Sequence, residues 1–243
     1  MNNINRQAMI FAAGFGKRML PLTKSIPKPL IKFNNQVLLE NLIKKLFKFN
    51  VDKIVINTHH LSKKIELFVC KKFNQEITLV HEDIILETGG GLLNALKKKY
   101  LDNKVNPTIL LNGDIYWVEN IEPVFPKLEK YWDSKIMDIL MILKKKDDMF
   151  GYSGNGDFHF SCGEKAFGCL SNTFGKNEFV YVGLQFLNLD IMRNFKKKKF
   201  SLKEVFNYTI KKKRLYGLVD DNEWFHLGTL KDLNDARKII LCR

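Results

Sequence analysis

The chain has 243 residues, 45% of them hydrophobic, and a formal net charge of +14 at pH 7. That length suits one α/β domain, or one domain with a small appendage, and the apolar share is ample for a core. No apolar run approaches the roughly 20 residues of a membrane span, and the lysines fall in short runs on many segments, which argues against a nucleic-acid groove.

Met1 to Gln7 is polar, with no apolar signal segment behind it, so a soluble cytoplasmic protein is expected. Ala8 to Ala13 reads as a buried strand. It runs into Ala12-Ala13-Gly14-Phe15-Gly16-Lys17-Arg18-Met19, with Pro27-Lys28-Pro29 close behind. Two glycines let the backbone turn sharply and offer bare N–H groups to an anion. Lys17, Arg18 and Lys28 add three cations, so the turn is suited to a polyphosphate. A Walker A loop is excluded, because Arg18 stands where a hydroxyl must follow Gly16-Lys17. A dinucleotide fingerprint is excluded, because Met19 takes the third glycine position.

Val37 to Phe47 predicts a helix, with Leu39, Leu42, Ile43, Leu46 and Phe47 on one face. Lys53 to Asn57 is a short strand, followed by His59-His60, read as loop histidines near the ligand. Ser62 is expected to cap a helix through Phe73. Ile77 to Val80 is a strand and Gly91 to Tyr100 a helix. Between them, Leu86-Glu87-Thr88-Gly89-Gly90-Gly91 reads as a second glycine-rich loop, open to a flat base or a ribose. Glu82 either accepts a hydrogen bond from the base or is a solvated loop acid. Thr108 to Asn112 is a strand ending in Gly113-Asp114. Magnesium takes one or two carboxylates plus substrate phosphates. Asp114 is expected to serve it, with a turn-capping role as the alternative. Apolar strands alternating with helices imply a parallel sheet covered on both faces, whose ligands sit at the carboxyl ends of the strands.

Pro123 to Tyr131 continues as helix and Met137 to Leu143 as strand. Gly151 to Phe160 reads as a hairpin turning near Asn155-Gly156. Phe179 to Phe186 is a strand. Ser201 to Ile210 is a helix, with Ser201 and Glu204 spaced as a capping box. Trp224-Phe225-His226-Leu227-Gly228-Thr229 leads into a closing helix, Asp232 to Leu241, with Thr229 as its cap. Cys70, Cys162, Cys169 and Cys242 make no C-x-x-C pair and are expected to be reduced structural thiols. No repeat or flexible linker divides the chain. Residues 1–243 are read as one domain: a doubly wound, mostly parallel, Rossmann-like sheet with helices on both faces and a small β-rich insertion.

In order, the elements G-x-G-x-R, P-K-P-L, L-E-T-G-G-G, N-G-D, G-x-G-D-F and W-x-x-x-G-T resemble the sugar nucleotidyltransferase family, from about Ala8 to Ile240. L-E-T-G-G-G and G-D-F resemble its N-acetylmuramate-1-phosphate uridylyltransferase branch, which works in peptidoglycan recycling. The resemblance implies a nucleotide-binding half, residues 1–120, and a sugar-binding half, residues 121–243. It implies transfer from UTP to N-acetylmuramate 1-phosphate with release of pyrophosphate. Mannose 1-phosphate with GTP is the alternative pair, and a nucleotide-sugar-binding protein without turnover is a more distant reading. Ala12, Ala13, Gly14, Phe15, Gly16 and Lys17 would hold the phosphates. Arg18 and Lys28 would neutralise charge there, and Asp114 would bind magnesium. Glu82, Thr88, Gly89 and Gly90 would face base and ribose. Gly151, Glu178 and Gly183 fall in segments that line the sugar site in relatives. Relatives carry W-x-D-x-G-T and use that Asp as a second metal ligand, where this chain has His226. Magnesium prefers oxygen. Three readings therefore stand: Asp114 with substrate oxygens alone, His226 on a phosphate, or His226 as a ligand with manganese tolerated. Only small-molecule partners are expected, with no nucleic acid and no membrane.

Overall fold

The computed structural model describes residues 5–73, 77–164 and 166–241, so Cys242 lies outside the described residues. Side chains of the first strand, β1 (Gln7–Phe11), alternate between two apolar clusters: Ala8 and Ile10 enter one, Met9 the other. A strand buried on both faces needs a layer on each side. In chain order there follow β2 (Lys32–Phe33), β3 (Gln36–Val37), α1 (Leu38–Lys48), β4 (Lys53–Thr58), α2 (Ser62–Lys72), β5 (Ile77–His81), α3 (Glu87–Lys97), β6 (Thr108–Asn112) and β7 (Tyr116–Val118). The second half adds α4 (Val124–Tyr131), β8 (Ile139–Lys145), β9 (His159–Gly163), β10 (Phe167–Ser171), β11 (Phe179–Leu187), α5 (Leu202–Lys211), β12 (Leu215–Val219), β13 (Glu223–Phe225) and α6 (Leu230–Leu241).

Nine of the described strands form one sheet, ordered β5-β4-β1-β6-β11-β8-β12-β10-β9. Seven point the same way; β11 and β10 run against them. The sheet is mixed and mostly parallel, as the alternation of strands and helices implies. Helices α1, α2 and α4 cover one face through Leu39, Leu42, Ile65, Val69, Phe125 and Leu128. Helices α3 and α5 cover the other through Leu92, Leu93, Leu202, Val205 and Phe206. Helix α6 packs on a third cluster with Met19, Ile31, Phe33, Tyr116 and Phe225. Strand β11 lies between β6 and β8, so both halves of the chain share one sheet. The β9–β10 hairpin extends that sheet at its far edge rather than forming a separate body. Among the described residues, no helix is long and apolar enough to cross a membrane.

Several local expectations give way. Ser62 does not cap α2. Leu61 precedes the helix in a left-handed conformation (φ 53°), no side chain caps it, and Ser62 is its first residue. The Leu-Glu-Thr-Gly-Gly-Gly segment is not a loop, because the first turn of α3 begins at Glu87. Its glycines are buried for a packing reason. The Gly90 amide donates to the Phe200 carbonyl at 2.9 Å, and a Cβ there would collide with the carbonyl oxygen of Lys198. Asn155-Gly156 turns no hairpin. Residues 151–158 are largely irregular, the Gly156 amide donates to the Tyr152 hydroxyl at 3.0 Å, and the hairpin joins β9 to β10 instead. An Asn-Gly turn needs alternating strands on both sides, and Gly151 and Gly154 interrupt the first. Ser201 does cap α5, accepting from the Lys203 amide at 3.3 Å, but Glu204 turns to Lys197 (2.7 Å) instead of back to the cap. The reciprocal box forms at α6. The Asp232 amide donates to Thr229 Oγ1 at 3.2 Å, and the Thr229 amide donates to Asp232 Oδ2 at 2.8 Å.

Candidate active site

Strands β4, β1 and β6 are parallel neighbours, so their carboxyl ends open on one sheet edge. A cavity of about 400 Å³ lies there. Its wall includes Ala12, Ala13, Gly14, Gly16, Lys17 and Arg18 beyond β1, and Asn112, Gly113 and Asp114 at the end of β6. Lys28, Asn57, Glu87, Thr88 and Gly228 complete much of it. The glycine turn, its cations and the carboxylate after β6, far apart in sequence, thus converge on one space.

The turn is braced from below. The Ala12 amide donates to Asn57 Oδ1 at 2.9 Å, and Asn57 Nδ2 donates to Glu82 Oε1 at 2.7 Å. Glu82 Oε2 accepts the Leu86 amide at 3.0 Å. One chain of bonds therefore joins the ends of β1 and β4 to the start of α3. Glu82 is only 2% exposed and does not line the cavity. It is therefore not a solvated acid, and each of its carboxylate oxygens accepts one bond of this bracing. Gly16 sits at φ 64°, where a side chain is disfavoured, and its carbonyl accepts Thr23 Oγ1 at 3.0 Å. Phe15 packs edge-on to His59 (5.3 Å between centroids) and beside His60 (5.6 Å). His59 Nδ1 lies 2.7 Å from the Glu82 carbonyl oxygen and His60 Nε2 lies 3.0 Å from that of Thr23. The two histidines hold the loop from behind.

Charge inside the cavity is organised around Asp114. Lys28 is only 8% exposed, and its Nζ donates to Asp114 Oδ2 at 2.5 Å. Lys17 and Arg18 are exposed at the rim. His226 lies within reach of the same charges. Burial lowers its pKa; Arg18 and Lys28 oppose its protonation, while Asp232 and Asp114 favour it. Its Nε2 is 4.0 Å from Asp232 Oδ2, and it lies against Gly228, which lines the cavity. Among the described residues, no three His, Cys, Asp or Glu side chains cluster as a metal-holding group. The donor set fits a hard cation that takes one carboxylate from Asp114 and its other oxygens from phosphate and water. Asp220 offers no replacement ligand. It is fully buried, accepting Trp224 Nε1 at 2.7 Å and Lys127 Nζ at 3.3 Å.

The remaining predicted residues are placed unequally. Thr88 lines the cavity, and its Oγ1 also accepts the Leu202 amide at 3.0 Å, which ties α3 to α5. Gly89 and Gly90 are buried in α3 and absent from the cavity wall. Gly183 sits where the β11 register shifts, against the Asn112 side chain, and Gly151 sits against the His226 carbonyl oxygen. Glu178 lies apart, in a second hollow of about 840 Å³ with Lys145, Lys146, His159 and Lys176. Three polar residues of the cavity wall, Asn57, Glu87 and Asn112, fall in segments that the sequence places at the strand ends but had no role assigned from it. Asn57 and Asn112 are polar ends of buried strands, which was their signal. Glu87 sat inside the glycine motif, but its left-handed backbone (φ 62°) could not be read from sequence. Asp157, carried only as part of G-D-F, is partly buried. Its Oδ2 accepts the Tyr181 amide at 3.0 Å. Burial raises its pKa, against the opposing pull of that amide, Lys203 and His226.

The chain is similar to known proteins in sequence and in fold. A family model described as Nucleotidyl transferase matches residues 7–242. The chain is 26% identical over 233 residues to the N-acetylmuramate alpha-1-phosphate uridylyltransferase of Caulobacter vibrioides, covering 94% of each chain. It is 24% identical over 235 residues to the mannose-1-phosphate guanylyltransferase catalytic subunit beta of Danio rerio, covering 93% of this chain and 62% of that one. A solved UDP-glucose pyrophosphorylase complexed with UDP-glucose shares the fold, with a TM-score of 0.76 over 98% of this chain and 100% of that chain, at 14% identity.

Proposed function

The chain belongs to the nucleotidyl transferase family, and on that premise we propose that it joins UTP to N-acetylmuramate 1-phosphate and releases pyrophosphate, a reaction of peptidoglycan recycling. The observation that carries the reaction class is the meeting of the glycine turn, Arg18, Lys28 and Asp114 on one cavity. The choice of sugar and base is supported by the relative of matching length, since 94% of each chain aligns. Mannose 1-phosphate with GTP is the second reading. It is favoured by relatives of that activity, of which this chain spans about 62% of the length.

In this account a phosphate oxygen of the sugar 1-phosphate attacks the α-phosphorus in line. One P–O bond forms, the bond to the β-phosphate bridge breaks, and pyrophosphate carries away the electron pair. Amides of Ala13 to Gly16 grip the triphosphate, with Lys17 beside them. Arg18 offsets charge that builds on the pentacoordinate phosphorus and on the leaving group. Lys28 contacts the phosphates and holds Asp114 in place. Magnesium, taken up by Asp114 with phosphate oxygens, would supply further charge neutralisation. Glu82 acts through Asn57 as a positioning residue for the Ala12 amide. Thr88 and Glu87 face the nucleoside, and Gly151 and Gly183 flank the sugar side, with Glu178 more distant. His226, held neutral by burial and nearby cations, suits a phosphate contact from its N–H. Alignment of two bound reactants can supply roughly 7–11 kcal/mol of the barrier. A pyrophosphate-release assay over a panel of triphosphates and sugar 1-phosphates tests the reading. UTP with N-acetylmuramate 1-phosphate should give the highest kcat/KM; a clear preference for GTP with mannose 1-phosphate selects the second reading, and no release with any pair removes both.

A further inference from the structure

The β9–β10 hairpin at the sheet edge sets Cys162 directly opposite Cys169. Directly opposed residues of antiparallel strands have Cα atoms about 4.5–5.5 Å apart, inside the roughly 4.4–6.8 Å window of disulfides. Both are free thiols. They differ in access. Cys162 is exposed, whereas Cys169 is buried and its thiol donates to the Lys213 carbonyl oxygen at 3.6 Å. Burial and the neighbouring thiol hold the Cys169 pKa above the usual range. An oxidant from solution therefore meets Cys162 first, and Cys169 waits behind it.

We propose that Cys162 and Cys169 form a thiol modification site, at which a low-molecular-weight disulfide converts the pair into a reversible cross-strand disulfide. The Cys162 thiolate attacks one sulfur of the oxidant, forming a mixed disulfide and expelling one thiolate. Cys169 gives its proton to solvent and attacks the Cys162 sulfur, and the second thiolate leaves. Two protein thiols lose two electrons, and the oxidant gains them as its disulfide becomes two thiols. Excess thiol reverses both steps. The new bond closes β9 onto β10 beside the second hollow, whose wall includes Phe160 and Gly163 of β9. It lies outside the wall of the Arg18–Asp114 cavity and does not rest on the proposed reaction.

The test uses the full chain, incubated with oxidised glutathione, alkylated at its remaining thiols, and digested with trypsin without reduction. Trypsin cuts after Lys165, between the two cysteines, so the bond appears in mass spectrometry as two joined peptides. The expected result is that joined pair, lost on treatment with dithiothreitol. Cys162→Ser should abolish it, and Cys169→Ser should trap glutathione on Cys162. Recovery of both peptides alkylated, linkage to Cys70 or Cys242 instead, or a stable glutathione adduct on Cys162 of the unmutated chain overturns the proposal.

Discussion

Gly14 separates a glycine kept for the fold from one kept for a ligand. A Cβ at Gly14 would meet nothing within 4 Å, and Gly14 lines the cavity, whereas Gly16 is held at φ 64° by the turn itself. Gly14→Ala should therefore leave the melting temperature unchanged while weakening nucleotide binding about tenfold, or ~1.4 kcal/mol. Calorimetric titration beside a thermal melt reads both, and a folded variant with unaltered affinity would remove Gly14 from the phosphate grip. His226 gives a pH signature. Its folded pKa lies below the ordinary 6.5, chiefly through burial and then Arg18 and Lys28. The unfolded chain thus takes up the proton more readily. Stability present above the ordinary value is lost as pH falls from about 7 toward 5. His226→Gln should flatten that decline in melting temperature; an unchanged slope would contradict the assignment.

Helix α3 shows what sequence carries at the scale of an element and what it does not. Its helical body, Gly91 to Tyr100, and its place near the strand ends were legible, because both follow from residue order. Its true start was not. Three successive glycines read as a loop when their neighbours are unknown, and only distant neighbours explain them: residues 198–200 close on Gly89 and Gly90, and the Asn57 and Glu82 side chains close on Gly91. The burial of Glu82 was hidden for the same reason: its partners, Asn57 and the Leu86 amide, depend on tertiary placement. Asn155-Gly156 carried the local chemistry of a turn but lacked a strand on its N-terminal side. Helix α3 also yields a prediction that runs against propensity. Gly→Ala inside a helix normally stabilises by roughly 0.5–1 kcal/mol. Gly90→Ala should instead cost about 1–3 kcal/mol, because the added methyl overpacks against backbone. Chemical denaturation measures it, and a stabilised variant would refute the packing account.

The whole molecule brings the ends of three parallel strands, β4, β1 and β6, to one edge beneath a net charge of +14. That much was legible from the alternation of apolar strands and helices. The antiparallel course of β11 and β10 was not, because a strand's direction is set by the path of its connections rather than by its own residues. An excess of positive charge steers anionic substrates toward a cationic cleft, and salt screens it. The kcat/KM for the nucleotide should therefore fall as ionic strength rises while kcat holds steady; salt-independent kcat/KM would remove steering from the account. The proposed reaction requires the cation-lined turn to be the place where the phosphoryl bond is exchanged. Arg18 is exposed at its rim, so its loss spares the core. The decisive measurement is turnover of Arg18→Ala against the unmutated enzyme on the preferred substrate pair, with melting temperatures matched. A drop of about 10²–10³-fold is predicted, the usual cost of one well-placed charged donor. Turnover within a few-fold of the unmutated enzyme would place the chemistry elsewhere.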